Sequence, residues 1–536
     1  MKTHPKIMFY HDGRHPHMYR YEPPMSKDEM NAMIDELVST SVDAVVYCLG
    51  EGRTMLHDTQ VGELLGHNVD KWDHAAFRRV HQNAASLINK GHDPLQLICD
   101  RAHEKNLLFY ANLIVNAGGP DSVPMRCSDF RKNNTHLEIG ASGNVDESFK
   151  GYDHLDFQHN EARDERFALI EETITKYPID GFELNLFSAP WFFQPEKAYE
   201  SRQIMTDWIS KIYEITKQGN SNKELVVRIP NNIDRCLSLG FDPEKWVELG
   251  IVDALVGQIE EYIINPVNDL RSLVKITSES KCRVYAALGF DVNTDRLKTA
   301  SASITRAIAS NYWDQGIDGL YLTQWFAEWP YSPEFYDKLR DLPHRDIMDY
   351  KDKFYFIPKY STAHFSSSPE ISTQKDQKAN NFLPVTLNTS NTKKFILPVA
   401  DNLEKWEQQE RVHDVLLRIR IQDITELNEF EFKINNKKLP FSLCRKINQL
   451  YVMPGSAPRD RVMGGYWFIF HLTSEYWPVK GNNEIDITLL NRESDLSDEI
   501  ICKVIDIELE TKYLKGKNFH REFSDLELGP HEFRGS

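Results

Sequence analysis

The sequence predicts an α/β fold: a (β/α)8 TIM barrel followed by an all-β, jelly-roll-like sandwich domain. Three observations predict it. Short β-rich runs alternate with amphipathic helical runs through residue 345. Four of those runs share one theme, "VDAVVYCLG" (42–50), "IDGFELNLF" (179–187), "VDALVGQIE" (252–260) and "IDGLYLTQWF" (317–326). After a polar stretch, the remaining strands alternate without helices between them, as antiparallel sheets do.

In chain order, "KIMFYHDG" (6–13), "LLFYANLIVN" (107–116), "LVVRIPNN" (225–232) and "RVYAALGFD" (283–291) are the other four strands. The shared theme falls on the second, fourth, sixth and eighth. Ser26 and Glu29 form a capping box before Met30, Met33, Ile34 and Leu37. Asp93-Pro94 is an N-cap and first-turn pair before Leu95, Ile98 and Ala102. Phe167, Ile170, Ile174 and Tyr177 make one helical stripe, and Ile204, Met205, Trp208 and Ile212 the next. A doubly wound open sheet is the competitor. It would place a Gly-rich phosphate turn after the first strand, and HDGRHPHMYR is not one. Residues 1–349 therefore read as the barrel, 350–385 as a linker or wrapping segment, 386–526 as the sandwich, and 527–536 as a cloning remnant.

Composition narrows the function. A formal charge of -17 argues against a nucleic-acid or anionic-membrane surface. No 18-residue apolar run exists, so no helix spans a membrane. Seven scattered cysteines without CxxC read as free thiols. The start lacks an apolar leader, which implies the cytoplasm, or the periplasm if the start has been shortened. Oligomeric state is not readable.

In a barrel of this kind the active site lies at the C-terminal ends of the strands. Alternation puts Cys48, Asn185, Gln258 and Thr323 on one lumen level and Val46, Glu183, Val256 and Tyr321 one step deeper. The odd strands bring Asn112 and Asn116, Arg228, and Tyr285 with Asp291. His11 or its neighbours Tyr10 and Asp12 close the ring. A barrel lumen that only supports is filled by Val, Ile and Leu. A mid-strand Glu183 is therefore either one half of a buried pair with Arg228 or a catalytic group. Asp180 and Asp318, at strand starts, read as turn residues. Glycoside hydrolysis needs two carboxylates roughly 5–10 Å apart, and Glu260 and Asp291 are candidate partners of Glu183.

Trp191, Phe192, Phe193, Trp325 and Trp329 could form sugar platforms. Arg14, His15 and His17, in the loop after the first strand, could grip an acidic sugar. Tyr152 and His154, where the long third loop returns, could be a lid-borne acid and base. No metal motif stands out, no cofactor is called for, and a divalent metal stays open.

The segment "LDFQHNEARDERFALIEETITKYPIDGFELNLFSAPWFF" (155–193) resembles glycoside-hydrolase-like barrels, the family-10-like hypothetical glycosidases. Asp156, Arg163, Asp180-Gly181, Glu183, Pro190 and Phe193 fit that family's pattern. The resemblance implies a barrel fold and a carbohydrate substrate. It departs at Asn185, where the family has an acid, and at Ser188, where it has an Arg. Three readings follow. The first is glycosidase-type hydrolysis of an oligosaccharide by Glu183 with Glu260 or Asp291. The second is a lyase or dehydratase acting on a uronate-containing oligosaccharide, using His11 or His154 with Arg228. The third is a non-catalytic sugar-binding protein. Arg14, Asn112, Asn116, Tyr152, Asn185, Gln258, Tyr285, Tyr321 and Trp325 are the expected substrate contacts.

Overall fold

The computed structural model describes residues 4–50, 54–117, 126–259, 261–292, 297, 299–359, 382–448 and 465–513. The chain divides into two compact units. One comprises Met1–Glu261, Asn268–Gly289 and Gln315–Ser332; the other comprises Tyr262–Val267, Phe290–Asp314 and Pro333–Ser536.

The first unit is the barrel. Strands β1 (Ile7–His11), β2 (Ala44–Cys48), β3 (Leu108–Ile114), β4 (Gly181–Asn185), β5 (Glu224–Pro230), β6 (Ala254–Gln258), β7 (Arg283–Leu288) and β8 (Gly319–Leu322) close in sequence order. Every pairing is parallel, and β8 returns to β1. The strands are buried on both faces, as a sheet wrapped by helices must be. Ser26 and Glu29 make the expected capping box, and Asp93 caps its helix through Leu95 N.

The four-fold theme has a physical role. Asp43 accepts from Lys6 N and Ile7 N, Asp180 from Phe109 N, Asp253 from Leu225 N and Asp318 from Val284 N. Each aspartate ties the start of an even strand to the start of the odd strand before it. The glycine beside Asp180 and Asp318 makes room. A Cβ on Gly181 would lie 2.4 Å from the Tyr110 ring, and one on Gly319 would lie 2.5 Å from the Tyr285 ring. Those rings fill the N-terminal end of the lumen. Tyr110 donates to Glu224, Arg283 pairs with Glu224 and donates to Tyr285, and Tyr285 donates to Pro5 O.

The second unit is a sandwich of antiparallel sheets. One holds β9 (Lys353–Phe356), β10 (Val385–Thr386), β12 (Asp414–Gln422), β15 (Cys444–Asn448), β16 (Tyr466–His471) and β18 (Lys503–Lys512), with β9 and β10 both pairing β18. The other runs β11 (Thr392–Val399), β17 (Gly481–Asn491), β13 (Glu429–Ile434) and β14 (Lys437–Lys438). The segment expected to link the domains thus contributes β9, while 360–381 and the expected remnant 527–536 lie outside the described residues. Leu417, Ile419, Phe432, Phe470, Ile487 and Ile507 build the sandwich core. The opposite face of β12 carries Arg418 and Arg420, both buried and ion-paired to Glu510 and Asp506. All seven cysteines are free. Among the described residues, no helix is long and apolar enough to cross a membrane.

Candidate functional site

Register sets which side chains share the lumen. Glu183 on β4 lies beside Asn112 on β3 and Val226 on β5, while Arg228 lies beside Asn185 and Val256. Side chains alternate across a sheet, so Asn112, Glu183 and Arg228 share a face with Tyr10, Cys48, Val256, Gln258 and Tyr321. Glu183 Oε1 accepts from Arg228 Nε at 2.7 Å, and its Oε2 accepts from the Tyr321 hydroxyl at 2.6 Å. Arg228 Nη1 reaches Gln258 Oε1 at 3.4 Å. The guanidinium lies over two rings, Tyr10 at 4.7 Å and Tyr321 at 4.9 Å.

This layer is tightly closed. Glu183 is 0% exposed and Arg228 1%. The level at which the sequence places Glu183 among candidate site residues is therefore closed to solvent. The stacked Arg228, Tyr10 and Tyr321 side chains fill it. Burial pulls the Arg228 pKa down, but Glu183, Tyr321, Tyr10 and Glu261 together lift it above its ordinary value. Burial also raises Tyr321 and Tyr10, and lifts Cys48 to about 11. Level with Glu183, the Asn112 amide is 0% exposed and neither of its polar atoms has a partner. Nη2 of Arg228 has none either.

Other expected site residues take different places. His11 faces the opposite way from Tyr10; its ring stacks on Tyr47 at 6.4 Å and meets Phe326, and its Nδ1 accepts from Gly13 N. Its neighbour Asp12 continues the lumen alternation. Tyr285 sits at the N-terminal end, held by Pro5 and Arg283, because the stagger of the strands lowers β7 at that position. Asn116 spends its whole amide on Leu155 O, Trp191 O and Leu155 N, pinning two loops to the barrel. Asn185 closes its own turn, accepting from Phe187 N and Ser188 N and donating to Ser188 Oγ. Trp325 is fully buried, and its indole N–H donates to Leu288 O, so it offers no sugar platform.

His154 lies edge-on to Trp191 at 5.2 Å and contacts Asp153, and Tyr152 packs over Gly140. Phe192 and Phe193 are core residues, and Trp329 stacks under Arg20. Asp291 belongs to the second unit, where it caps Val292 N. Glu260 lies outside the described residues. Gln324, just past β8, holds a left-handed backbone (φ +58°), an unfavourable conformation for a side-chain-bearing residue and one met at functional sites.

Sequence reading missed a cleft beside the first two strand ends. Asp12, Arg14, Gly50, Thr54, Leu56, Leu65 and Arg126 line it, and its enclosed space is about 20 Å³. Arg14 Nε stands 3.7 Å from Asp12 Oδ2, and the other oxygen of Asp12 accepts from His15 N. Burial raises the Asp12 pKa, against the pull of Arg14. A basic residue at 126 carries no local motif that would single it out. Among the described residues, Glu63, His67 and Asp129 have ligand atoms within 4.8 Å of one another. Their atoms already engage one another and Asn68.

No family model matches the chain, and no curated protein does. Three solved structures are among those that the chain aligns with. An endo-beta-1,4-mannanase from Thermotoga petrophila aligns over 92% of this chain and 99% of its own, at 10% identity and TM-score 0.43. The PgaB (BpsB) glycoside hydrolase domain from Bordetella bronchiseptica aligns over 63% and 98%, at 11% identity and TM-score 0.41. A cycloisomaltooligosaccharide glucanotransferase from Paenibacillus aligns over 94% of this chain at 11% identity and TM-score 0.36, and the chain spans 57% of its length. At about one residue in ten identical, residue roles do not carry over.

Proposed function

We propose that the chain is a carbohydrate-active enzyme that hydrolyses a glycosidic bond of an oligosaccharide at the C-terminal mouth of its barrel. The observation that supports this reading is the buried Asn112 amide. Leaving such a group unpaired costs about 1–3 kcal/mol. Arg228 Nη2, on the same lumen face, is likewise without a partner, and a sugar hydroxyl can supply both a donor and an acceptor to such groups.

Two carboxylates in contrasting surroundings suit the chemistry. Glu183 accepts from a guanidinium and a phenol and serves as the nucleophile or the stabiliser of positive charge at the anomeric carbon. Asp12 is held toward its protonated form by burial and serves as the acid. The reading requires Arg228 to lift from Tyr10 and Tyr321 as the sugar enters, with Gln258 and Tyr321 among its contacts.

The test is a panel of plant and algal oligosaccharides incubated with the full chain and read by mass spectrometry. New reducing ends are expected, with Glu183→Gln and Asn112→Ala slowing their release at least tenfold. Products lighter by one water would replace hydrolysis with elimination, and binding without any product would leave a sugar-binding protein.

A further inference from the structure

The connection that leaves β2 and the one that leaves β3 bring three metal-ligating side chains together. Glu63 and His67 flank a turn after β2, and Asp129 opens the short helix Asp129–Asn133 after β3. Their ligand atoms lie within 4.8 Å of one another. His67 Nε2 stands 3.2 Å from Asp129 Oδ1 and 3.9 Å from Glu63 Oε2. The other ring nitrogen, Nδ1, lies 3.2 Å from Leu64 O. A carbonyl oxygen can only accept, so Nδ1 carries a proton. In the neutral ring Nε2 therefore turns a lone pair toward two carboxylate oxygens. Three acceptors that converge in this way call for a cation between them. A backbone carbonyl on the far ring nitrogen is also the support that a metal-bound histidine commonly has. Asp129 is oriented from outside the triad as well, since Asn68 Nδ2 donates to its Oδ1 at 3.1 Å.

The turn that carries His67 is fixed before any ion arrives. Leu65 is buried and its N–H donates to Met55 O. Gly66 takes a left-handed backbone (φ +79°), and a Cβ there would lie 2.2 Å from the Trp72 ring. The triad still faces solvent, with side-chain exposures of 29% for Glu63, 22% for His67 and 53% for Asp129, so an ion has a way in. Ligand atoms that share one zinc at about 2.1 Å stand roughly 3–3.5 Å apart. The His67–Asp129 distance already fits, and a small rotation of Glu63 closes the other.

From this convergence we infer that Glu63, His67 and Asp129 bind a divalent transition-metal ion of the zinc type, with water completing a tetrahedral shell. Calcium takes roughly six to eight oxygens and magnesium keeps most of its water, whereas one imidazole with two carboxylates suits zinc. The ion would staple the connection after β2 to the connection after β3. The inference goes beyond the hydrolytic reading and does not depend on it.

The experiment is calorimetric titration of the full chain, first cleared of metal with a chelator, against zinc chloride and, separately, calcium and magnesium chloride. Zinc should bind at about one equivalent, at least tenfold more tightly than the other two ions, and should raise the thermal unfolding midpoint. His67→Ala should abolish both effects. Asn68→Ala, which removes only the amide that orients Asp129, should weaken zinc binding about tenfold. Failure of the parent to bind zinc overturns the site and leaves the triad an ion pair of a protonated His67. Zinc binding that survives His67→Ala unchanged overturns it too, by placing the ion on other side chains. If His67→Ala fails to fold, Glu63→Gln, which keeps an acceptor for Asp129 N while removing the charge, decides in its place.

Discussion

Glu183 and Arg228 meet across a diagonal. Their strands are neighbours, but Glu183 stands level with Val226, and Arg228 stands level with Asn185. The 2.7 Å contact between Glu183 Oε1 and Arg228 Nε therefore spans one register step along the lumen. That geometry leaves the rest of the guanidinium directed across the barrel, over Tyr10 and Tyr321 and toward Gln258. The pair is at once a buried ion pair and the floor of the candidate site.

A buried pair of this kind costs most when only one member is removed, about 3–5 kcal/mol, because the other charge is left stranded. Arg228→Met should lower the stability of the barrel by that order. The double variant Glu183→Gln/Arg228→Met should recover much of it, since the hydroxyl of Tyr321 can still donate to the amide. Urea unfolding of the two variants beside the parent measures this. A double variant no more stable than Arg228→Met alone would show that the ion pair is not the source of the loss.

The two glycines of the repeated Asp-Gly step carry a separate prediction. Their missing Cβ atoms leave space for Tyr110 and Tyr285. Gly181→Ala and Gly319→Ala should each cost about 1–3 kcal/mol through overpacking, because neither ring can retreat from its hydrogen bond without loss. An unfolding midpoint within error of the parent for both would show that the lumen relaxes freely at this end.

Much of this was readable before the structure. The eight runs fall on β1 to β8, and the four-fold theme marks every even strand. The lumen parity of Cys48, Asn185, Gln258, Glu183 and Tyr321 follows from the two-residue period alone. Depth does not follow, because shear offsets each strand by an amount that only closure sets. That is why Tyr285 reads as a mouth residue and lies at the other end, and why Asn116 reads as a contact and is a loop anchor. Facing at a strand end is equally weak: His11 and Asp12 are adjacent, and only the register says which enters the lumen. Arg126 was illegible because its neighbours, Arg14 and Phe77, come from distant loops and helices with no shared spacing.

The aspartates of the theme should rank by the number of donors each one holds. Asp253 accepts from Leu225 N and pairs with Lys217, so its loss strands a backbone N–H and a partly buried cation. Asp318 holds Val284 N. Replacement by alanine should cost about 1–3 kcal/mol at either position, with Asp253→Ala the larger. Replacement by asparagine, which can still accept through its carbonyl oxygen, should cost less at Asp318 than at Asp253, where the lost charge also matters. Reversal of that order in denaturant titrations would remove the ranking.

Acid should weaken the first unit in a window set by its buried histidines. His17 is fully buried with neither ring nitrogen partnered, and burial lowers its pKa to about 4; burial does the same to His57 and His15. An unfolded histidine titrates near 6.5. Between those values the unfolded chain holds more protons than the folded one, so stability falls as pH drops from about 6.5 to about 4, and levels off below. For His17 the full loss is on the order of 3 kcal/mol, since each tenfold difference in proton affinity between the folded and unfolded chain is worth about 1.36 kcal/mol. His17→Leu removes that proton uptake while keeping an apolar side chain in place. Its stability should therefore decline less than the parent's between pH 7 and pH 4.5, by about 2–3 kcal/mol, whatever offset the substitution introduces at neutral pH. Parallel pH profiles for the two proteins would assign the acid sensitivity to other groups.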